Sequence, residues 1–359
     1  MKKTFVVILV LLLVAAPLGG CSSGTADGAG KSSRDADSLP VLRVGTIEGR
    51  IGFNLWYIME NGLDIENGFR IEKSEFTGGG VPVNEALGAG LLDIAHIGSP
   101  AGVNSAAVFG AKILCAFLEG AGFHLFARPD SDIVRAGNGS AAFPALLGSA
   151  ETVRETSVLY PVGTMAQIGV YRYLDAFGLN PDDIISVNMQ LASAYQAFRT
   201  GEGDIIAIFS PTCYTAYDEG LVKIATLYEM DVPMYNVLIA NDNTYEQNKE
   251  LIKKYIALLY EVNDMMTADK ELQIELLFDF YKISGTEVDI KWLPEEIETM
   301  YLITSEQAKT IDHAISVIQT AEFYIDIGVL EADKLDIIKE RVDLTLLKEV
   351  LGASQGSRE

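Results

Sequence analysis

Three short stretches place a hydroxyl beside glycine or proline directly after an apolar run: Gly98-Ser99-Pro100, Gly163-Thr164-Met165 and Phe209-Ser210-Pro211. Ser and Thr are N-cap types, and proline suits the first turn of a helix, where its missing N–H is not needed. Each stretch therefore reads as a strand turning sharply into a helix. The chemistry available there is non-covalent: first-turn amides and the helix dipole can hold an anion or a polar group. Two charges, Glu48 and Arg50, lie in the glycine-containing loop 47–54 after the first apolar run. Either meets a ligand, or the two pair with each other at the surface, where little energy is at stake. Groups for covalent chemistry are scarce. The chain has three histidines, His96, His124 and His313, and beyond Cys21 only the isolated Cys115 and Cys213. No metal-ligand or nucleophile constellation follows, so no cofactor, metal or enzymatic activity is expected, and Cys115 and Cys213 are expected to be buried free thiols. Gly78-Gly79-Gly80 lacks the following Gly-Lys-Ser/Thr of a phosphate loop.

The elements that must position these turns show a repeat. Leu92 to Ile97 is short and apolar, as in a buried strand, and Asp93 to Pro100 returns at Asp204 to Pro211 with five of eight positions identical. The preceding segments, Glu85 to Gly90 and Gln196 to Gly201, both read as helix ends closed by glycine. A phrase repeated with its flanks predicts two α/β lobes of similar design. Thr164 should cap a helix over 165–177 and supply a third such terminus.

Residues 1–20 carry Lys2, Lys3 and an apolar run from Phe5 to Leu18, too short for the roughly 20 residues of a spanning helix and suited to a signal peptide. Leu18-Gly19-Gly20-Cys21 resembles the lipobox of bacterial lipoproteins, which implies cleavage before Cys21, lipidation of Cys21 and attachment to the cell membrane on its extracytoplasmic side. Residues 21–39 are Ser, Gly, Ala and Asp with almost nothing apolar, the composition of a flexible tether. The whole chain has a formal charge of −23. Such acidity excludes nucleic acid as a partner and excludes docking on anionic lipid heads, leaving the lipid anchor as the membrane contact.

The remaining chain suits two lobes better than one core. Strands are expected at 41–46, 70–76, 112–118 and 123–128, with 123–128 continuing the first sheet. Further strands at 157–160, 182–188, 204–209 and 222–227 belong to a second lobe, and 232–240 is the return crossing. Lobe I thus comprises 40–130 and 232–359, and lobe II 131–231. Phe53, ending the first loop, and Tyr235, opening the return strand, join the turn residues as candidate ligand contacts. The segments after Asn243 have helical periodicity and should pack on lobe I, their aromatics in its core.

The order of these motifs resembles one family. Val44-Gly45-Thr46, Asn84-Glu85-Ala86-Leu87 through Asp93-Ile94, Gly98-Ser99-Pro100, Pro161-Val162-Gly163-Thr164, and Ala197-Phe198 through Phe209-Ser210-Pro211 are similar to the extracytoplasmic binding proteins of ABC importers for nitrate, bicarbonate, taurine and other sulfonates, broadly including thiamine-precursor binders. The resemblance spans Leu42 to about Leu344. It implies an α/β, two-lobed periplasmic-binding-protein-like fold of the type with two crossing strands. It also implies a monomer that closes on a small-molecule ligand and delivers it to ABC permease and ATPase subunits. Carried over by position, Glu48, Phe53, Gly98, Ser99, Gly163, Thr164, Met165, Phe209, Ser210, Pro211 and Tyr235 are the ligand-binding candidates. Ser99 and Thr164 would donate from opposite lobes, and Phe209 would form an apolar wall. The family often has Trp-Glu-Pro where this chain has Phe209-Ser210-Pro211, so a charge partner for an amine-bearing ligand is lost there unless Glu48 supplies one. An anionic or neutral polar ligand is the expectation. The alternatives within the resemblance are a pyrimidine-related binding protein or enzyme on the same scaffold, and a ligand-sensing lipoprotein not coupled to import.

Overall fold

The computed structural model describes residues 38–353 except 78 and 121; residues 1–37, which include the expected signal peptide, most of the expected tether and Cys21, lie outside the described residues. Strands alternate with helices, and among the described residues ten strands assort into two five-stranded sheets. The first holds β1 (Val41–Ile47), β2 (Arg70–Phe76), β3 (Ile94–Gly98), β4 (Lys112–Glu119) and β10 (Tyr235–Ala240), in the order β2-β1-β3-β10-β4. The second holds β5 (Phe123–Ala127), β6 (Ser157–Tyr160), β7 (Ile185–Asn188), β8 (Ile205–Phe209) and β9 (Val222–Thr226), in the order β7-β6-β8-β5-β9. Strands β1, β2 and β3 run parallel, as do β6, β7 and β8, while β10 and β5 are the antiparallel members of their sheets. The fold is thus α/β and two-lobed.

Each antiparallel strand is the first one after the chain crosses from one sheet to the other. Residues 120–122 lead from β4 to β5, and residues 227–234 lead from β9 to β10. This corrects the expectation that Phe123 to Arg128 continues the first sheet: Phe123–Ala127 pairs with β8 and β9 instead. The reason lies at Gly120 and Gly122, which take φ of 89° and 57°. A Cβ on Gly120 would stand 2.0 Å from the Thr299 carbonyl oxygen, so only glycine lets the chain leave the first sheet so tightly.

The repeated phrase is a repeat of structure. Asp93 and Asp204 each enter a central strand and make the same pair of backbone bonds to the neighbouring strand. Asp93 N–H donates to the Arg43 carbonyl at 2.9 Å, and its carboxylate accepts from Arg43 N–H at 2.8 Å. Asp204 N–H donates to the Ser157 carbonyl at 2.7 Å, and its carboxylate accepts from Ser157 N–H at 2.9 Å. Both carboxylates therefore lock the β1–β3 and β6–β8 registers by satisfying groups at the strand ends.

One apolar core surrounds the first sheet, built by Val44, Ile94, Ile113, Leu238 and the helices Lys249–Ala268 and Lys270–Ile283. The second sheet is covered on one side by Ile168, Tyr173 and Leu174, and on the other by Phe198, Cys213 and Tyr214. The helical segments after Asn243 do pack on the first core, with Tyr255, Tyr260 and Tyr281 buried. Residues 305–328 form two helices, Ser305–Ala308 and Ile315–Asp326, instead of one continuous stretch. His313, between them, turns inward, accepting from Ala116 N–H at 3.0 Å.

Candidate functional site

In both sheets the parallel strands end where a turn and a helix begin, and these carboxyl edges meet across the boundary between the sheets. From the first sheet come the loop after β1, carrying Glu48 and Arg50, the helix Phe53–Glu60 that follows it, and the helix Ser99–Phe109 after β3. From the second come the turn before the helix Met165–Asp175 and the Ser210-Pro211 turn before the helix Thr212–Asp218. Several contacts among the described residues bridge the boundary. A Cβ on Gly98 would stand 3.3 Å from Met165 Cε. Tyr324 Oη donates to the Gly163 carbonyl at 3.3 Å. Phe323 meets Tyr171 edge-on at 5.6 Å between centroids. Trp292 stacks on Tyr214 and Tyr217, and its Nε1 donates to Asp218 at 3.3 Å while Lys291 pairs with Asp218 at 2.7 Å.

The turn residues are more committed to the protein than their sequence suggests. Gly98, not Ser99, is the N-cap, and Ser99 is the first helical residue, fully buried. Its hydroxyl donates to the Tyr235 carbonyl at 2.7 Å and lies 2.5 Å from the Ser316 hydroxyl, which in turn accepts from Tyr235 N–H at 3.1 Å. Ser99, Tyr235 and Ser316 thus close a buried polar triangle. Thr164 caps its helix as expected, accepting from Ala166 N–H at 3.2 Å, and it donates to the Pro161 carbonyl at 2.8 Å. Gly163 N–H is taken by Gln167 Oε1 at 2.8 Å and Val162 N–H by Asn188 at 3.0 Å. Phe209 packs edge-on against Phe123, Ser210 donates to the Met300 sulfur at 3.2 Å, and a cis bond joins Ser210 to Pro211. Met165 and Gly98, Gly163 and Tyr324, and Ser99 and Tyr235 are therefore brought together at the boundary; Glu48 is exposed.

The charged loop departs from the surface pair that Glu48 and Arg50 could have formed. Arg50 is 3% exposed, and none of its guanidinium nitrogens has a hydrogen-bond partner among the described residues. Its guanidinium carbon stands 4.5 Å over the ring of Phe53, which is core rather than cleft wall, stacked on Trp56 and tilted against Phe280. Burial depresses the Arg50 pKa against the opposing pull of the Glu296 carboxylate and the Tyr281 and Tyr214 phenols. Glu296, fully buried, accepts a hydrogen bond from Tyr281 through one oxygen, and the Tyr214 hydroxyl also supports its charge. Burial raises the Glu296 pKa, and the Arg50 charge opposes that rise. Nothing in the order of residues marked Glu296, which opens the helix Leu293–Thr299 next to Glu295 like any solvated first-turn acid. Trp292 and Tyr324 were equally concealed, being spaced like the core aromatics around them.

The histidines are structural. His96 Nδ1 lies 3.3 Å from the Ile51 carbonyl and Nε2 2.7 Å from Tyr255 Oη, and burial pushes its pKa down to about 4. His124, on a crossing strand, is also pushed down to about 4 by burial. Cys115 and Cys213 are free and buried, the Cys115 thiol pushed up to about 12 by burial. Among the described residues no group of His, Cys, Asp and Glu is arranged to hold a metal, and no helix is long and apolar enough to cross a membrane. Two concavities adjoin the boundary. One of about 40 Å³ lies at the crossings beside Glu119, His124 and Tyr301, and a groove of about 690 Å³ is lined by Tyr214, Tyr281, Lys282 and Trp292.

Comparison with known proteins agrees with this arrangement. Residues 154–271 match the family described as NMT1/THI5 like. A protein of Brachyspira hyodysenteriae, carrying the provisional name of ABC transporter periplasmic binding protein, is 30% identical over 98% of this chain and 100% of its own length. In three dimensions the chain is similar to the periplasmic aliphatic sulphonate binding protein SsuA of Escherichia coli, with a TM-score of 0.67, 19% identity and coverage of 85% of this chain and 92% of that one. It is also similar to the periplasmic nitrate-binding protein NrtA of Synechocystis PCC 6803, with a TM-score of 0.64, 15% identity and coverage of 88% and 89%. With matched sequence along nearly its full length, the chain belongs to the family of ABC transporter periplasmic binding proteins.

Proposed function

We propose that this protein is the extracytoplasmic solute-binding component of an ABC importer, held to the membrane by lipid on Cys21, and that it takes a small anionic or polar organic molecule between its two lobes. The observation that carries the reading is the meeting of the two carboxyl edges, with Met165 against Gly98 and Tyr324 bonded to Gly163. In open α/β sheets that edge is where ligands lie. The lobes in this reading are 40–119 with 235–353, and 123–226, joined by two crossings that can act as a hinge. Ser99, Thr164 and their helix termini then frame the cleft chiefly through backbone and position, since their hydroxyls are engaged within the protein. Ligand bridging both edges favours the closed arrangement only to the extent that it binds that arrangement better. The closed monomer is what permease and ATPase subunits would recognise.

The sulfonate and nitrate named for the structural neighbours supply candidate ligands, and pyrimidines and aromatic acids extend them. A thermal-shift screen of the protein from residue 22 onward against nitrate, bicarbonate, methanesulfonate, pyrimidines and benzoate tests the reading. Concentration-dependent stabilisation by a member of the set is expected; no stabilisation by any solute would contradict it. Replacing Cys21 by Ser in the full-length chain should release the protein from the membrane fraction. Continued membrane association would remove the anchor.

A further inference from the structure

The amino edge of the first sheet faces away from the interlobe boundary, since the carboxyl edges are the ones that meet there. It carries an exposed apolar surface. Leu91, just before β3, is 65% exposed, and Val108 and Phe109, at the end of the helix Ser99–Phe109, are 66% and 40% exposed. Packing gathers them in one place. A Cβ on Gly88, the last residue of the helix Gly80–Gly88, would run into the ring of Phe109. Leu91 follows three residues on, its N–H donating to the Ala86 carbonyl at 3.0 Å. Residues 86–92 and 99–111 contain no Asp, Glu, Lys or Arg, although such residues make up 21% of the chain. Large apolar side chains exposed together on an uncharged surface mark a place of contact.

The entry of the chain says with what. The Pro40 carbonyl accepts from Arg70 N–H at 2.9 Å, and Val41 opens β1, which runs parallel to β3, so the polypeptide joins the sheet at this same edge. Arg43 ties the two features together: its N–H donates to the Asp93 carboxylate at 2.8 Å and its Nη1 to the Gly90 carbonyl at 2.6 Å. Ser38 follows Cys21 by 17 positions, a reach of about 60 Å even when fully extended. A lipid on Cys21 therefore draws this edge toward the bilayer. The net charge of −23 opposes approach to anionic lipid heads, but the ionic groups beside the patch cancel. Arg43 pairs with Asp93, and Lys112 and Arg341 pair with Asp242 and Asp343. The Arg341 guanidinium reaches the patch itself, 3.6 Å from where a Cβ on Gly110 would stand. A locally neutral apolar surface suits the interfacial layer of a membrane, between head groups and acyl chains.

We propose that Leu91, Val108 and Phe109 form a membrane-seating face, inserted into the interfacial layer of the bilayer that holds the Cys21 lipid. The first lobe then rests on the membrane by its amino edge and turns its carboxyl edge, with the cleft, away from it. This rests on the lipid-anchor reading above and adds to it a second, apolar contact.

The test uses the full-length chain, processed in cells and reconstituted into vesicles of phosphatidylcholine and phosphatidylglycerol. Leu91→Cys, Val108→Cys and Ile185→Cys variants are labelled with an environment-sensitive fluorophore; Cys115 and Cys213 are buried, and Ile185 is exposed at the amino end of β7 in the other lobe. Labels at 91 and 108 should shift to shorter wavelength on reconstitution and be quenched by nitroxide-bearing lipid, while the label at 185 does neither. Vesicle flotation of the protein without quenching at 91 and 108 would overturn the seating face and leave the anchor standing. Equal quenching at all three positions would overturn it too, as would a shift at 91 and 108 that persists in detergent, which would assign the patch to a second copy of the chain. Failure of the protein to float with vesicles would overturn the anchor and the seating face together.

Discussion

The Cε methyl of Met165, at the start of a second-lobe helix, stands 3.3 Å from where a side chain on Gly98 of the first lobe would begin. Gly98 has φ −74° and ψ 157°, an extended conformation open to any residue. The space there is limited by the Met165 methyl across the boundary, not by the residue's own backbone. A Gly98→Val substitution should therefore act through crowding, costing about 1–3 kcal/mol of stability in urea unfolding. Met165→Ala in the same chain should recover most of that loss. A Gly98→Val penalty that Met165→Ala leaves intact would mean that the two residues do not oppose each other.

Asp93 and Asp204 hold equivalent register bonds, but Asp93 carries more. Besides Arg43 N–H it accepts from the Arg43 side chain and from Thr244 Oγ1 at 3.0 Å, whereas Asp204 is exposed. Asp93→Ala should cost about 2–3 kcal/mol or more, since it leaves buried donors unpaired, and Asp204→Ala about 1 kcal/mol. Urea midpoints of the two variants should differ in that order. Equal losses would show that the extra partners of Asp93 contribute nothing.

His96 and His124 are both neutral when folded at neutral pH, their pKa values held at about 4 by burial. An unfolded histidine titrates near 6.5, so between about 6.5 and 4 the unfolded chain binds more protons than the folded one. Stability from these groups is complete above that window and is lost as pH falls through it. Unfolding free energy measured in urea should decline from pH 7 to pH 4, and His96→Gln together with His124→Gln should flatten the decline. An unchanged slope in the double variant would assign the acid sensitivity to carboxylates alone.

How much of this was legible follows from where each feature's cause resides. The β3 and β8 units were readable because their cause is local: an acid, a short apolar run and cap residues within eight positions. The sheet to which Phe123–Ala127 belongs was not, because a strand buried on both faces is apolar whichever neighbours it has. The Ser99 hydroxyl looked available for ligand since its partners, Tyr235 and Ser316, come from distant segments that only the fold assembles. Arg50 showed the same limit more sharply. A charge between glycines reads as a surface loop, and its burial depends on Phe53, Tyr214, Tyr281 and Glu296 arriving from four separate elements. Long-range encounters of this kind leave no periodicity behind.

Trp292 spans the lobe boundary by stacking on Tyr214 and Tyr217, and Trp56 is the chain's other tryptophan. In a Trp56→Phe variant the emission of Trp292 therefore reports directly on whether the two lobes rearrange around a solute. The most direct measurement is a fluorescence titration of that variant with whichever probe stabilises the protein against heat. A change in Trp292 emission that saturates over the same concentrations as the thermal stabilisation is the predicted result. A probe that stabilises the protein while Trp292 emission stays constant would contradict a ligand held between the lobes.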